Sequence, residues 1–239
     1  MKNITDILSD QPAVKKACRD CGGQLEASLF TPSIMAQFVE VCPACSERRA
    51  VEEQRQLILR SEKSRLARWK EICPPMFLET DTGRLPLPNK LQEVLAWHYG
   101  RTGLLLHGVT GTGKSRCAWL LLWREFEAGR NFALMDCGSG MTYAKKYSES
   151  AGEPVWWVEH LSTVDLLFLD DVFKAKLTDS FTAFLFEIIS KRTERNLPIL
   201  ATTNDVGDSL ASRMTTDRGW PLIRRLRDSC TPISFSFTN

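Results

Sequence analysis

An α/β fold is what this sequence predicts: a parallel five-stranded sheet with helices on both faces. Three observations carry that expectation. From Gly103 onward, apolar strand-length segments alternate with helical patterns, the order that parallel sheets require. A glycine-rich turn stands between the first such segment and the first such helix. The paired prolines of "CPPMF" (73–77) separate this alternation from a charged, cysteine-bearing N-terminal part, because consecutive prolines cannot continue a helix.

The expected strands are Gly103–His107, Asn131–Asp136, Asp165–Leu169, Pro198–Thr202 and Pro232–Phe237. After the first, "SRCAWLLLWREFEAG" reads as a helix stopped by Gly129, with Trp119 and Trp123 packing it into the core. Before the fourth, Phe181, Phe184, Leu185, Ile188 and Ile189 recur on one helical face, with Thr178 or Asp179 as N-cap. Between the second and third strands, Trp156 and Trp157 read as packing residues; stacking on single-stranded nucleic acid is the alternative.

Bulk composition is that of a globular chain, with 43% hydrophobic and 25% charged residues. The longest apolar run, Cys117–Trp123, is far too short to span a bilayer. The opening "MKNITDILSDQ" lacks the apolar stretch of a secretory signal, so the cytoplasm is the expected location. A net charge of +2 points to no particular partner, but Ser46–Ile72 holds eight Lys/Arg against five Asp/Glu. Within it, Val51–Trp69 lacks Gly and Pro and reads as an exposed or weakly amphipathic helix.

The turn is Gly108-Val109-Thr110-Gly111-Thr112-Gly113-Lys114-Ser115, a full match to G-x-x-x-x-G-K-[ST] lying between a strand and a helix. Glycines let successive backbone N–H groups curl around phosphate oxygens, and the helix that follows adds its own free N–H groups and positive dipole end. ATP is the expected ligand: Lys114 reaches its β/γ-phosphates, Ser115 ligates Mg²⁺, and Arg116 closes the binding set. About fifty residues on, "VDLLFLDDVF" delivers Asp170 and Asp171 at the C-terminal end of a strand, the edge where such sheets bind ligands. Asp170 suits the Mg²⁺ shell and Asp171 suits activation of the attacking water. "PILATTND" brings Asn204 to the tip of another strand, where an amide can orient water or the γ-phosphate. Arg213, Arg218, Arg224, Arg225 and Arg227 crowd a later segment, a source of an arginine for a neighbouring subunit's phosphate.

Together "GVTGTGKS", "LLFLDDV", "LFEIISKRTERNLPILATTN" and "LIRRLRDSCTPISF" resemble, in order and spacing, the AAA+ P-loop ATPases of the bacterial helicase-loader group, the DnaC/DnaI-like loaders and the related IstB-type transposition helpers. The resemblance runs from Pro74 to the C-terminus. It implies a sheet order of 5-1-4-3-2 and ATP bound between subunits. It also implies Asp170 and Asp171 as Walker B acids, Asn204 as the sensor residue and Arg225 (with Arg224 the neighbouring choice) as the arginine acting in trans. Many AAA+ proteins carry Glu where Asp171 stands, which implies slow turnover, and no C-terminal helical lid is expected.

Of eight cysteines, four form C-x₂-C-x₂₀-C-x₂-C: Cys18, Cys21, Cys42 and Cys45. Two such knuckles complete a tetrahedral shell, so structural Zn²⁺ is expected, stabilising a segment too small to fold on its own core. The organisation expected is thus a zinc module (1–49), a basic helical linker (50–73) and an ATPase domain (74–239). The function that follows is an ATP-hydrolysing accessory of DNA replication that places a ring helicase on single-stranded DNA and self-associates with ATP. A transposition helper, a non-hydrolysing zinc-bearing adaptor and a phosphoryl-transferring kinase are the competing readings. In some loaders that it resembles, an N-terminal zinc-bearing segment engages the helicase.

Overall fold

The computed structural model describes residues 17–25, 40–150, 155–171, 173–174, 178–204 and 219–237. The chain divides into two compact units, Met1–Glu71 and Ile72–Asn239. Arg213 and Arg218 lie outside the described residues.

In the first unit, Ala17 and Gln24 form an antiparallel bridge around a tight turn. Gly22 sits at φ 71, and the Cys18 amide donates to the Gly23 carbonyl at 2.7 Å. Helix α1 (Pro43–Ile72) is longer than the charge pattern indicated. It starts at Pro43, whose fixed φ suits a first helical turn, so Cys45 is helical. Most of α1 is exposed, Val51, Leu57 and Ile58 included.

The second unit opens with α2 (Pro75–Leu78), a 3₁₀ turn (Thr82–Arg84) and α3 (Pro88–Leu95). There follow β1 (Gly103–Gly108), α4 (Lys114–Glu127), β2 (Phe132–Asp136), α5 (Cys137–Glu149), α6 (Trp156–Thr163) and β3 (Leu166–Asp170). The chain continues through α7 (Asp179–Glu194), β4 (Ile199–Thr203), α8 (Gly219–Ser229) and β5 (Cys230–Phe235). All strand pairs are parallel, in the order β2-β3-β4-β1-β5. This is the implied 5-1-4-3-2 order read from the other edge. Strand β5 begins two residues before the expected Pro232. It is an edge strand, where a residue without an N–H is tolerated, so proline does not mark its start.

Alternation along β3 builds two cores, since successive side chains face opposite sides of a sheet. Phe168 meets Trp119 of α4 edge-on, with centroids 5.7 Å apart. Leu167 and Leu169 join Phe184, Leu185, Ile188 and Ile189 of α7 on the other face, all fully buried. Thr178 caps α7, its hydroxyl accepting from the Phe181 amide at 3.2 Å, and Gly129 at φ 83 follows the end of α4 as expected. One buried position of α7 is not apolar: Arg192, fully buried, donates to the carbonyls of Leu161, Val164, Asp165 and Pro198 at 2.8–3.1 Å. It ties α7 to both the α6–β3 corner and the entry of β4, and burial lowers its pKa to about 10.

The packing expectation holds for Trp157, stacked on Tyr143 at 6.0 Å, and fails for Trp156, which is 76% exposed. On α6 the two neighbours point in different directions, so only one reaches the core. Among the described residues, no helix is long and apolar enough to cross a membrane.

Candidate nucleotide and metal sites

Strand β1 runs into the glycine turn, and its geometry admits no side chain at the first position. Gly108 lies at φ 127, and a Cβ there would stand 2.3 Å from the Phe235 carbonyl oxygen of β5. Gly113, at φ 92, turns the chain directly into α4, so the helix's free N–H groups face the turn. A cleft of about 380 Å³ opens there. Its lining combines Thr110, Gly111, Gly113, Lys114, Ser115 and Arg116 with Asp171 and Asn204, and with Met76, Phe77, Arg84 and Pro86.

Lys114 is 6% exposed, and its Nζ donates to the carbonyls of Gly108 and Val109, both at 2.8 Å, and to Asn204 Oδ1 at 2.9 Å. Burial pushes its pKa down, against the pull of Asp171 and Asp170. Ser115 Oγ donates to Asp170 Oδ1 at 2.9 Å, and Thr202 Oγ1 donates to the same oxygen at 2.6 Å. Burial raises the Asp170 pKa, with those two hydrogen bonds opposing it. Asp171 follows in a left-handed conformation, φ 51, with its amide donating to Thr202 Oγ1 at 3.0 Å. That conformation is uncommon for a residue with a side chain, and it persists here under tertiary restraint.

Lys114 and Asp170 are thus both biased toward neutrality by burial, which makes the ligand-free site a burden on stability. For Asp170 the folded pKa lies above the unfolded one. The folded chain therefore holds the proton more tightly, and stability is lost as pH rises through the folded value. Asp170→Asn keeps an oxygen for Ser115 and Thr202 and removes the buried charge. It is expected to raise the thermal midpoint of the ligand-free chain at neutral pH by about 2–4 °C, or roughly 1 kcal/mol. The gain should vanish as pH falls below the unfolded value of about 3.9. A melting series over pH checks this; a lower midpoint at neutral pH contradicts it.

The structure therefore brings Lys114, Ser115, Asp170, Asp171 and Asn204 together, though Lys114 and Asn204 are 90 positions apart. Gly108, Val109 and Thr112 build the turn itself. The Val109 amide is committed to the Phe235 carbonyl at 3.1 Å, and Thr112 Oγ1 donates back to the Val109 carbonyl at 2.7 Å. Arg116 donates to the Met76 carbonyl at 3.0 Å, with its guanidinium 5.8 Å from the Phe77 ring centroid, holding the turn against α2. Arg225 is not brought to the cleft. It lies on α8, 4.3 Å over the Phe186 ring and bonded to Ser190 Oγ of α7, while Arg224 is mostly exposed beside Asp228.

Sequence reasoning missed Thr202, although its signal was available: two residues before Asn204 in a strand, it shares that residue's side of the sheet. It also missed Met76, Phe77, Arg84 and Pro86, which carried no signal beyond a helix break.

In the first unit, the sulfurs of Cys18, Cys21, Cys42 and Cys45 all lie within 4.8 Å of one another and can hold a metal ion. Cys21 and Cys42 Sγ are 3.8 Å apart. A tetrahedron with metal–sulfur bonds of about 2.3 Å has edges of about 3.8 Å, so the Cys21–Cys42 edge has the length a Cys₄ zinc site needs. The Cys42 amide donates to Cys18 Sγ at 3.3 Å and lowers that thiol's pKa to about 6. Arg48 donates to Cys45 Sγ at 2.7 Å, a positive partner for a cluster of thiolates.

No protein-family model matches the chain. No curated protein matches it significantly. Solved structures do. The DnaC helicase loader superposes with a TM-score of 0.53 at 18% identity, over 71% of this chain and 99% of its own. DnaI does so with 0.51 at 19%, over 69% and 95%. AMPPCP-bound DnaA from Aquifex aeolicus gives 0.52 at 17%, over 68% of this chain but only 49% of that one. With its parallel sheet, glycine turn and strand-end acids, the second unit shares its fold with DnaI and the DnaC helicase loader.

Proposed function

We propose that this chain is a Mg²⁺-dependent ATPase of DNA replication that loads a ring helicase onto single-stranded DNA. The observation that carries the reading is the convergence on one cleft of Lys114, Ser115, Asp171 and Asn204, with Asp170 bonded to Ser115 behind them. Each has a task suited to its chemistry. Lys114 neutralises β/γ-phosphate charge once a phosphate oxygen replaces the carbonyls and amide it now contacts. Asn204, released from Lys114, is free to hold the γ-phosphate or the attacking water. Asp171 accepts the water's proton, and its left-handed backbone sets the direction of its carboxylate. The oxygen donors Ser115 and Asp170 suit Mg²⁺, which when bound supplies charge neutralisation between the β- and γ-phosphates. Met76, Phe77 and Pro86 offer apolar surface to the base.

The four cysteines hold Zn²⁺ as a structural ion, and the module they shape engages the helicase. Support for the replication role comes from the fold shared with DnaC, DnaI and DnaA. Self-association with ATP places an arginine of α8 from a second copy on the phosphates. Arg224→Ala and Arg225→Ala, each measured for nucleotide affinity and stimulated turnover, identify which one acts. The one that acts keeps its affinity and loses at least about tenfold in turnover; unchanged turnover in both removes the trans arginine.

The direct test pairs ATP turnover, with and without single-stranded DNA, with affinity capture. Stimulated turnover and recovery of a hexameric helicase support the reading. Recovery of a transposase in its place overturns the loader assignment and leaves the ATPase, whereas absence of any turnover overturns both.

A further inference from the structure

Backbone pairing between β3 and β4 runs from Leu167↔Ile199 to Leu169↔Ala201 and stops there. The next step in the register is Asp170 beside Thr202, where the two strands are joined by a side chain. Thr202 is fully buried. Its hydroxyl has one proton, directed to Asp170 Oδ1 at 2.6 Å, and a lone pair that receives the Asp171 amide at 3.0 Å. A single oxygen therefore holds one acid by its carboxylate and the next by its backbone.

Two consequences follow from donor and acceptor counting. Thr202 and Ser115 both donate to Oδ1 of Asp170, so that oxygen's orientation is set and the other oxygen stays available to a cation. The bond to the Asp171 amide restrains the residue whose backbone is left-handed, which fixes where its carboxylate points. Strand β4 also leads into Asn204, bonded to Lys114. Thr202 thus sets both acids at a defined distance from the lysine and the amide across the cleft.

We infer that Thr202 is a positioning residue of this site: it aligns Asp170 for the cation and Asp171 for the water without touching either ligand. The inference rests on the ATPase reading above. It is distinct from a packing role because threonine and valine have nearly the same shape. A purely steric role ranks valine level with threonine at this position and serine behind both. A hydrogen-bonding role ranks serine with threonine and valine far behind.

The experiment compares Thr202→Val and Thr202→Ser in the full chain by three readouts. These are kcat and KM for ATP, the Mg²⁺ concentration that half-saturates binding of a non-hydrolysable ATP analogue, and the thermal midpoint. Thr202→Val is expected to lose about 10–100-fold in kcat with little change in KM, and to need about tenfold more Mg²⁺. Thr202→Ser should stay within about threefold of wild type on each readout, a pattern that stands as support even if the valine variant proves unstable. A wild-type-like valine variant, or a serine variant that falls as far as valine, overturns the inference while the ATPase reading stands. A wild-type chain that neither turns over ATP nor binds the analogue overturns the ATPase reading and the role of Thr202 with it.

Discussion

Lys114→Ala is expected to weaken ATP binding by at least about 100-fold, which corresponds to about 2.7 kcal/mol. The ammonium is 6% exposed and sits among two carbonyls and an amide oxygen of its own site. Among the described residues it is the only lysine lining the cleft, and truncation would leave a triphosphate to the N–H groups of the glycine turn and to Arg84 and Arg116. The same substitution removes a buried charge that already has a lowered pKa, so the ligand-free chain should melt no earlier than wild type. Titration with a fluorescent ATP analogue, paired with a melting curve, separates these effects. Undiminished affinity refutes the cradle. A collapse in melting temperature would mean that the three contacts of Nζ are structural.

The second large effect is expected in the first unit. Replacing Cys21 and Cys42 by serine breaks both knuckles and should abolish metal retention, with loss of the local structure around the four cysteines. Structural zinc contributes about 10–16 kcal/mol of apparent binding free energy in small zinc modules. Among the described residues, the contacts that support the metal cage include a bridge between Ala17 and Gln24, a turn at Gly22 and ion pairs from Arg19 and Arg49. Metal analysis should find about one zinc per chain in the wild type and none in the double variant. Limited proteolysis should cut the variant ahead of α1. ATP affinity should persist, because the second unit has a core of its own. Less than half an equivalent of zinc in wild-type protein would remove the ion from the account.

Much of this was legible residue by residue. The glycine turn with Lys114 and Ser115, the strand ending in Asp170 and Asp171, the capped helix at Thr178 and the two cysteine knuckles each rest on spacing within a short window. Such patterns act through local geometry: glycine's access to positive φ, the two-residue repeat of a strand, the bite of two thiols around one ion. Helix α1 was underestimated for the same reason, since its first turn lies among cysteines whose spacing suggested only a metal knuckle.

What local spacing cannot express is which distant segments become neighbours. Strand β4 lies between β1 and β3, and that adjacency alone joins Asn204 to Lys114 and Thr202 to Asp170. The buried Arg192 follows the same logic: its four carbonyl partners come from α6, the corner before β3 and the approach to β4, so no spacing within its own helix foretells its burial. Met76 and Phe77 line the cleft on α2, to which Arg116 bonds back across 40 positions. The amino-acid pattern alone therefore specified the chemical groups and the class of fold, through preferences that each short stretch carries by itself. Only the assembled sheet decided their pairing, because hydrogen bonds between remote strands depend on the order in which the whole chain packs.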